Sequence, residues 1–91
     1  MIIEVKYTVK PGKRQDFYDA IVNYGIDEES RMEIGNIKYD YRFSDEDPDV
    51  LLLHEEWRDE ASQHEHEKTA HFSKLKELKE EYVLDTELVV K

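Results

Sequence analysis

Side chains able to move protons are concentrated in one segment of the chain and at the end of one apolar run. The segment HEHEKTAHF contains His64, His66 and His71, and the run VLLLH is followed by EEW at 55–57. Histidine has an ordinary pKa of about 6.5, so its neutral ring accepts a proton at neutral pH. A carboxyl group against apolar surface, as expected for Glu55, has a raised pKa and can also act as an acid or base. A nearby hydrogen-bond donor or lysine could instead simply satisfy it.

The same histidines are poorly spaced for a metal ion on one regular helix. Residues two apart point about 200° apart around a helix, so His64 and His66 diverge, and His64 and His71 lie about 10 Å apart along it. Only a break near Thr69 would bring His66 and His71 together. We therefore expect no native metal site.

Composition excludes several other kinds of chemistry. The 91 residues include no cysteine, which excludes thiolate nucleophiles, disulfides, iron–sulfur clusters and thiolate-ligated haem. The three glycines, at 12, 25 and 35, form neither a phosphate-binding loop nor a dinucleotide motif. With 13 basic and 23 acidic residues, the net charge of −10 disfavours nucleic acid and membrane surfaces as partners.

Length and patterning favour a small protein that works as a dimer. A chain of 91 residues is expected to form one domain, 1–91, and its 38% hydrophobic content makes a thin core that a homodimer would supplement. The N-terminal MIIEVKYTVKPGK has no basic leader followed by an apolar stretch, and no apolar run approaches the roughly 18 residues of a membrane span. We expect a cytoplasmic protein.

Alternating and helical periodicities predict the elements that must position these side chains. The predicted strands cover 2–10, 36–44, 50–58 and 82–90. The predicted helices cover 13–32, 60–67 and 70–81. Gly25 predicts a kink or a close backbone contact in the first helix, and Asp59 and Thr69 are predicted N-caps of the later two. The order β-α-β-β-α-β predicts an α+β, ferredoxin-like fold: a four-stranded antiparallel sheet with helices on one face.

The two faces of this sheet differ in character. One is apolar and aromatic, as a surface under helices should be, with Glu55 as the exception. It consists of Ile3, Val5, Tyr7, Ile37, Tyr39, Tyr41, Leu51, Leu53 and Trp57. The other face mixes both charges with a few apolar residues, which suits water or a polar contact in a dimer.

Three blocks of the chain together resemble the antibiotic-biosynthesis-monooxygenase family. EIGNIKYDYRFSDEDP resembles the family's helix-end E-x-G followed by an aromatic-Asp pair, here Tyr39 and Asp40. LLLHEEWRDEAS resembles its E-x-W strand end, here Glu55 and Trp57. HEKTAHF resembles its H-x-x-[ST]-x-H-[FY] segment at 66–72. The resemblance covers nearly the whole chain and implies a dimeric α+β barrel with a pocket between sheet and helices.

Several members of that family oxidise quinol-like or polyketide aromatics with dioxygen without metal, haem or flavin. Such chemistry needs a base to deprotonate a phenol or enol, inside a cavity that excludes water. The resemblance implies His66 or His71 as the base, and Glu55 is a further candidate. Aromatic walls and a hydrogen-bonding amide would hold the small-molecule substrate. The expected binding residues are Asn36, Tyr39, Tyr41, Trp57 and Phe72.

Two other functions fit the same residues. Gln63 and Glu67 stand where the family often has leucine, so the pocket cover is expected to be more polar than usual. A more polar pocket suits an isomerase or tautomerase that uses the same base without oxygen. A non-catalytic dimer that binds a small ligand is the third hypothesis, in which the aromatic face holds a ligand or only forms the core.

Overall fold

The computed structural model describes residues 1–91 and has the predicted ferredoxin-like α+β fold. In chain order the elements are β1 (Ile2–Val9), α1 (Arg14–Asn23), α2 (Ile26–Arg31), β2 (Asn36–Phe43), β3 (Val50–Trp57), α3 (Glu60–His66), α4 (Ala70–Tyr82) and β4 (Val83–Val90). The strands form one antiparallel sheet in the order β2-β3-β1-β4, with the helices on one face. None of the helices combines the length and apolar character that crossing a bilayer requires.

The single helix predicted over 13–32 is wrong, because the chain breaks there into α1 and α2. Gly25 stands at the break with a φ of 69°, in the left-handed region where a residue with a Cβ atom is strained. The kink predicted at this glycine is confirmed. Either side of it, Phe17, Ile21 and Ile26 are fully buried, and α2 packs on β2 while α1 packs on α4.

The inner face of the sheet forms the core where the alternation predicts it. β1 and β3 bury every second side chain: Ile3, Val5, Tyr7, Val9, Leu51, Leu53, Glu55 and Trp57. Ile37 does not join them and is 64% exposed. The pairing of β2 with β3 shifts register between Asn36 and Lys38, and this bulge removes Ile37 from the alternation.

Each of the last two helices begins at a capping side chain, as predicted. Asp59 accepts a hydrogen bond from the Ser62 N–H at 2.8 Å, and Thr69 Oγ1 accepts one from the Phe72 N–H at 3.2 Å. The Thr69 hydroxyl also donates to the carbonyl oxygen of His66 at 2.7 Å. The chain therefore leaves α3 and re-enters a helix within a few residues, between the two histidines of the candidate site.

Candidate active site

A small cavity of about 80 Å³ lies between the sheet and the pair α3 and α4. Its walls come from all four strands and from both of these helices. Of the residues proposed from the sequence, four line it: Tyr39, Glu55, His66 and Phe72. The cavity therefore contains two groups that can exchange protons, beside two aromatic rings.

His66 is enclosed by aromatic side chains. Its ring centroid lies 4.8 Å from that of Trp57, 5.6 Å from that of Tyr39 and 5.2 Å from that of Phe72. Burial lowers the pKa of His66, although hydrogen bonding to Glu33 acts in the opposite direction. The neutral imidazole, which is able to accept a proton, is therefore favoured at neutral pH.

Glu33 fixes the orientation of this imidazole. Its Oε2 accepts hydrogen bonds from Nδ1 of His66 at 2.5 Å and from Nε2 of His71 at 2.8 Å. With the proton of His66 on Nδ1, its Nε2 is a free acceptor. The only fully enclosed side-chain nitrogen or oxygen without a partner is Asp27 Oδ1. Nε2 of His66 also has no partner but is not among the fully enclosed atoms, so it is accessible from the cavity that His66 lines.

Sequence reasoning gave no role to Glu33, although a signal was present. Glu33 is the first residue of the E-x-G block at 33–35. A Cβ atom at Gly35 would lie 2.0 Å from Oγ and 2.2 Å from Cβ of Ser62 on α3. Only glycine allows this approach. The N–H of Arg58 also donates to the Gly35 carbonyl at 2.8 Å. Glu33 thus lies two residues from a point held against both α3 and the end of β3.

Glu55 and Trp57 form a buried pair on the inner face of β3. The Trp57 indole N–H donates to Oε1 of Glu55 at 2.9 Å. Burial raises the pKa of Glu55 to about 7, although this hydrogen bond acts in the opposite direction. Glu55 is therefore a second acid or base at the cavity wall. Trp57 is not part of that wall and instead supports His66 and Glu55 from behind.

Three of the other proposed residues do not line the cavity. The Asn36 amide, at the bulge of β2, donates to the carbonyl oxygens of Lys38 at 3.0 Å and Glu56 at 3.4 Å. Asn36 is predicted to bind substrate, but its side-chain NH₂ group already donates to these two backbone oxygens. The Tyr41 hydroxyl lies 3.2 Å from the Tyr39 hydroxyl, so Tyr41 contacts a wall residue without being one. His71 contacts the site only through Glu33 and the His66 ring.

Glu33, His66 and His71 also form a donor set that a metal ion could use. One ligand atom from each lies within 4.8 Å of the others, and two imidazole nitrogens with a carboxylate oxygen suit Zn²⁺ or Fe²⁺. The break at Thr69 brings the two histidines together, as helical geometry required. Their hydrogen bonds to Glu33 occupy the same atoms, so a metal ion would have to replace both bonds.

A wider depression of about 240 Å³ lies on the opposite face of the sheet. There His54 Nδ1 is 2.7 Å from Glu4 Oε1 and its Nε2 is 3.2 Å from Glu56 Oε2. Hydrogen bonding, first to Glu4, raises the pKa of His54. The lining mixes charges of both signs with Leu52 and Val89 and has no aromatic wall. We therefore assign the candidate active site to the smaller cavity.

Known proteins match this chain over most of its length. A family model described as "Antibiotic biosynthesis monooxygenase" matches residues 1–78. "Putative monooxygenase YcnE" of Bacillus subtilis (strain 168) is 33% identical over 72 residues, which are 79% of this chain and 74% of the relative. The crystal structure of a conserved protein from Methanosarcina mazei Go1 has 34% identity and a TM-score of 0.83, covering 98% of this chain and 89% of that one. The "Putative antibiotic biosynthesis monooxygenase from Nitrosomonas europaea" has 25% identity and a TM-score of 0.86, covering 97% and 92%.

Proposed function

The chain belongs to the antibiotic biosynthesis monooxygenase family, and from this premise we propose that it oxidises a small quinol-like aromatic compound with dioxygen, using His66 as the base. The observation that carries the proposal is the pairing of His66 with Glu33. A partly buried carboxylate that accepts from Nδ1 holds the ring in one tautomer and stabilises the imidazolium formed when Nε2 takes a proton. His71, on the same carboxylate oxygen, is a positioning residue rather than the base.

The chemistry assigned to this site begins with the phenolic proton of the substrate. Nε2 of His66 removes that proton, and the electron-rich phenolate reduces dioxygen. A hydroquinol that gains one oxygen atom and loses two hydrogens becomes a hydroxyquinone. The second oxygen atom leaves as water, so the four electrons lost by the ring are those that dioxygen accepts. The imidazolium returns its proton to the departing oxygen, and no metal, haem or flavin takes part.

The cavity walls support this reaction. Tyr39 and Phe72 offer flat surfaces to an aromatic ring, and His66 is only 2% exposed, which limits access of water to the base. Glu55, with a pKa of about 7, is able to protonate or deprotonate a second substrate oxygen near neutral pH. The two groups give an acid–base pair in one cavity.

That acid–base pair also favours a second candidate function, an isomerase or tautomerase. Moving a proton between two atoms of a substrate needs one group that accepts and one that donates, and His66 and Glu55 line the same cavity. Gln63 and Glu67 also line it, so its cover is polar, which an isomerase tolerates better than an oxygenase does. Turnover in strictly anaerobic buffer would identify this function.

We propose that the protein acts as a homodimer joined through the open face of the sheet. That face places Leu52 and Val89 among charges of both signs, the pattern expected where two copies pair charges around an apolar centre. Val89, which pairs with Glu4 on this face of the edge strand β4, is 54% exposed and gives a second reason for covering this side of the fold.

Oxygen uptake with hydroquinone and substituted hydroquinones tests the proposed function. We expect uptake by the native protein, with one atom of labelled dioxygen in the product, and a loss of about 10²-fold or more in His66→Ala. His64→Ala is the matched control, because His64 is an exposed histidine of α3 that pairs only with Glu60. Uptake that is absent, or equal in the native protein and His66→Ala, would contradict the proposal.

A further inference from the structure

Two lysines of α4 face the candidate cavity. Lys76 and Lys79 lie three residues apart, on one side of the helix, and both line the cavity. Nζ of Lys76 is 5.7 Å from the ring centroid of Phe72, and Nζ of Lys79 is 5.5 Å from that of Tyr7. Both rings belong to the cavity wall, so the two ammonium groups lie at the edge of the cavity.

Neither ammonium group has a carboxylate within ion-pair distance. Six of the nine lysines make such a pair: Lys6, Lys13, Lys38, Lys68, Lys74 and Lys91. In a chain with 23 acidic residues, unpaired lysines are the exception. The two carboxylates of the cavity itself, Glu55 and Glu67, remain beyond 4 Å of both lysines, as does Glu80 on the same helix.

Holding these two cations together is electrostatically unfavourable without an anion. Burial, and after it the charge of Lys76, lowers the pKa of Lys79. Both effects disfavour the charged form, and a bound anion would oppose both of them. An anionic group between the two side chains would also supply the charge-assisted hydrogen bonds that neither lysine makes within the protein.

The size of the cavity indicates where such a group would lie. An apolar cavity of about 150 Å³ accommodates one benzene ring, and ligand pockets are usually larger still. The space here is about 80 Å³, so a single ring must extend toward the side where the longer, partly exposed side chains of α4 can move. Those side chains include Lys76, which is exposed, and Lys79, which is half-buried.

We propose that the substrate is a single-ring phenol or hydroquinol that bears a carboxylate, which binds between Nζ of Lys76 and Nζ of Lys79. The ring lies against Tyr39 and Phe72 with its hydroxyl toward His66. This inference rests on the proposed function for the orientation of the ring. The recognition of the carboxylate depends only on the two unpaired lysines at the cavity.

Anaerobic calorimetry with matched compounds tests the carboxylate specificity. The probes are hydroquinone, 2,5-dihydroxybenzoate and 2,5-dihydroxyphenylacetate, whose carboxylate reaches one carbon further. We expect at least one acid to bind the native protein about tenfold or more tighter than hydroquinone, with a preference that weakens as salt is raised. In Lys76→Met/Lys79→Met the preference should disappear, so that neither acid binds tighter than hydroquinone does to the same variant.

Lys74→Met is the matched control, because Lys74 lies on the same helix, pairs with Glu77 and does not line the cavity. It should retain the preference, and a thermal melt of each variant confirms that it is folded. Native protein that binds the acids no tighter than hydroquinone, or a preference that survives the double substitution, would overturn the inference. If the native protein shows oxygen uptake but no carboxylate preference, only this inference is rejected. If it shows a carboxylate preference but no oxygen uptake, only the proposed function is rejected.

Discussion

Oε2 of Glu33 lies 2.5 Å from Nδ1 of His66, so one carboxylate oxygen decides which nitrogen of the buried imidazole can accept a proton. Glu33 belongs to the loop between α2 and β2, whereas His66 ends α3. Along the chain, the residue that orients the base therefore precedes the hairpin of β2 and β3, and the candidate base follows it.

Glu33→Gln is expected to reduce kcat/KM for hydroquinone oxidation by about 10²-fold or more while the protein stays folded. The amide keeps the shape of the side chain but removes the charge that stabilises the imidazolium of His66. Steady-state oxygen uptake and a thermal melt measure the two effects. Glu28→Gln, an exposed carboxyl group of α2, is the control. Full activity in Glu33→Gln would show that Glu33 does not orient a base.

Glu55 is expected to make the protein less stable as pH rises from 4.5 to about 7. Its pKa is raised from an ordinary 4.5 to about 7, so the folded state holds a proton that the unfolded state has already released. The unfavourable contribution is absent below pH 4.5 and reaches about 3 kcal/mol above pH 7. Glu55→Gln keeps an oxygen for the Trp57 N–H and removes this titration.

Urea unfolding of the native protein and Glu55→Gln between pH 4.5 and 8 measures that effect. The difference in unfolding free energy, Glu55→Gln minus native, should grow as pH rises. The lowered pKa of His66 acts in the opposite sense, because it makes the fold more stable as pH rises toward 6.5. This contribution is present in both proteins, so taking the difference removes it. A difference that is constant with pH would mean that Glu55 is ionised throughout.

Gly35→Ala is expected to destabilise the fold by about 1–3 kcal/mol and to lower activity, because the new Cβ atom would collide with Ser62. Ser62→Gly removes both atoms in the collision. The double variant Gly35→Ala/Ser62→Gly should therefore recover stability relative to Gly35→Ala, apart from about 1 kcal/mol for glycine in a helix. Chemical denaturation of the three variants measures this coupling, and purely additive effects would argue against the close packing.

Leu52→Glu is expected to separate the proposed dimer into monomers, since it adds a charge at the apolar centre of the open sheet face. Light scattering should give twice the chain mass of 10.9 kDa for the native protein and the single chain mass for the variant. Ser73→Glu, on the exposed side of α4, should remain dimeric. A native protein that is monomeric at micromolar concentration would reject the dimer.

Chelation of metal ions is expected to leave oxygen uptake unchanged. If Nδ1 of His66 and Nε2 of His71 both donate to Glu33, the base works without a metal ion. Protein treated with EDTA and desalted should retain its full kcat, and elemental analysis should find well below one metal ion per chain. Activity that is lost on chelation and restored by Zn²⁺ or Fe²⁺ would instead assign Glu33, His66 and His71 as metal ligands.

Local sequence determined most of the fold and part of the site. Alternation in β1 and β3 depends only on the two-residue period of a strand, so the buried face and the position of Glu55 on it followed directly. The caps Asp59 and Thr69 accept hydrogen bonds from N–H groups three residues away, so they too are predictable from local sequence. The helix break at Gly25 was anticipated only as a kink, because helical periodicity continues on both sides of it.

Tertiary structure alone decided how the proton-transfer groups meet. Glu33 and His66 are 33 residues apart, and their contact depends on the approach of Gly35 to Ser62, which no local pattern reports. The bulge between Asn36 and Lys38 likewise depends on the pairing of β2 with β3, and it removed Ile37 from the predicted apolar face. Strand and helix periods are properties of neighbouring residues, whereas a shared hydrogen-bond acceptor or a strand register is set by packing between distant segments.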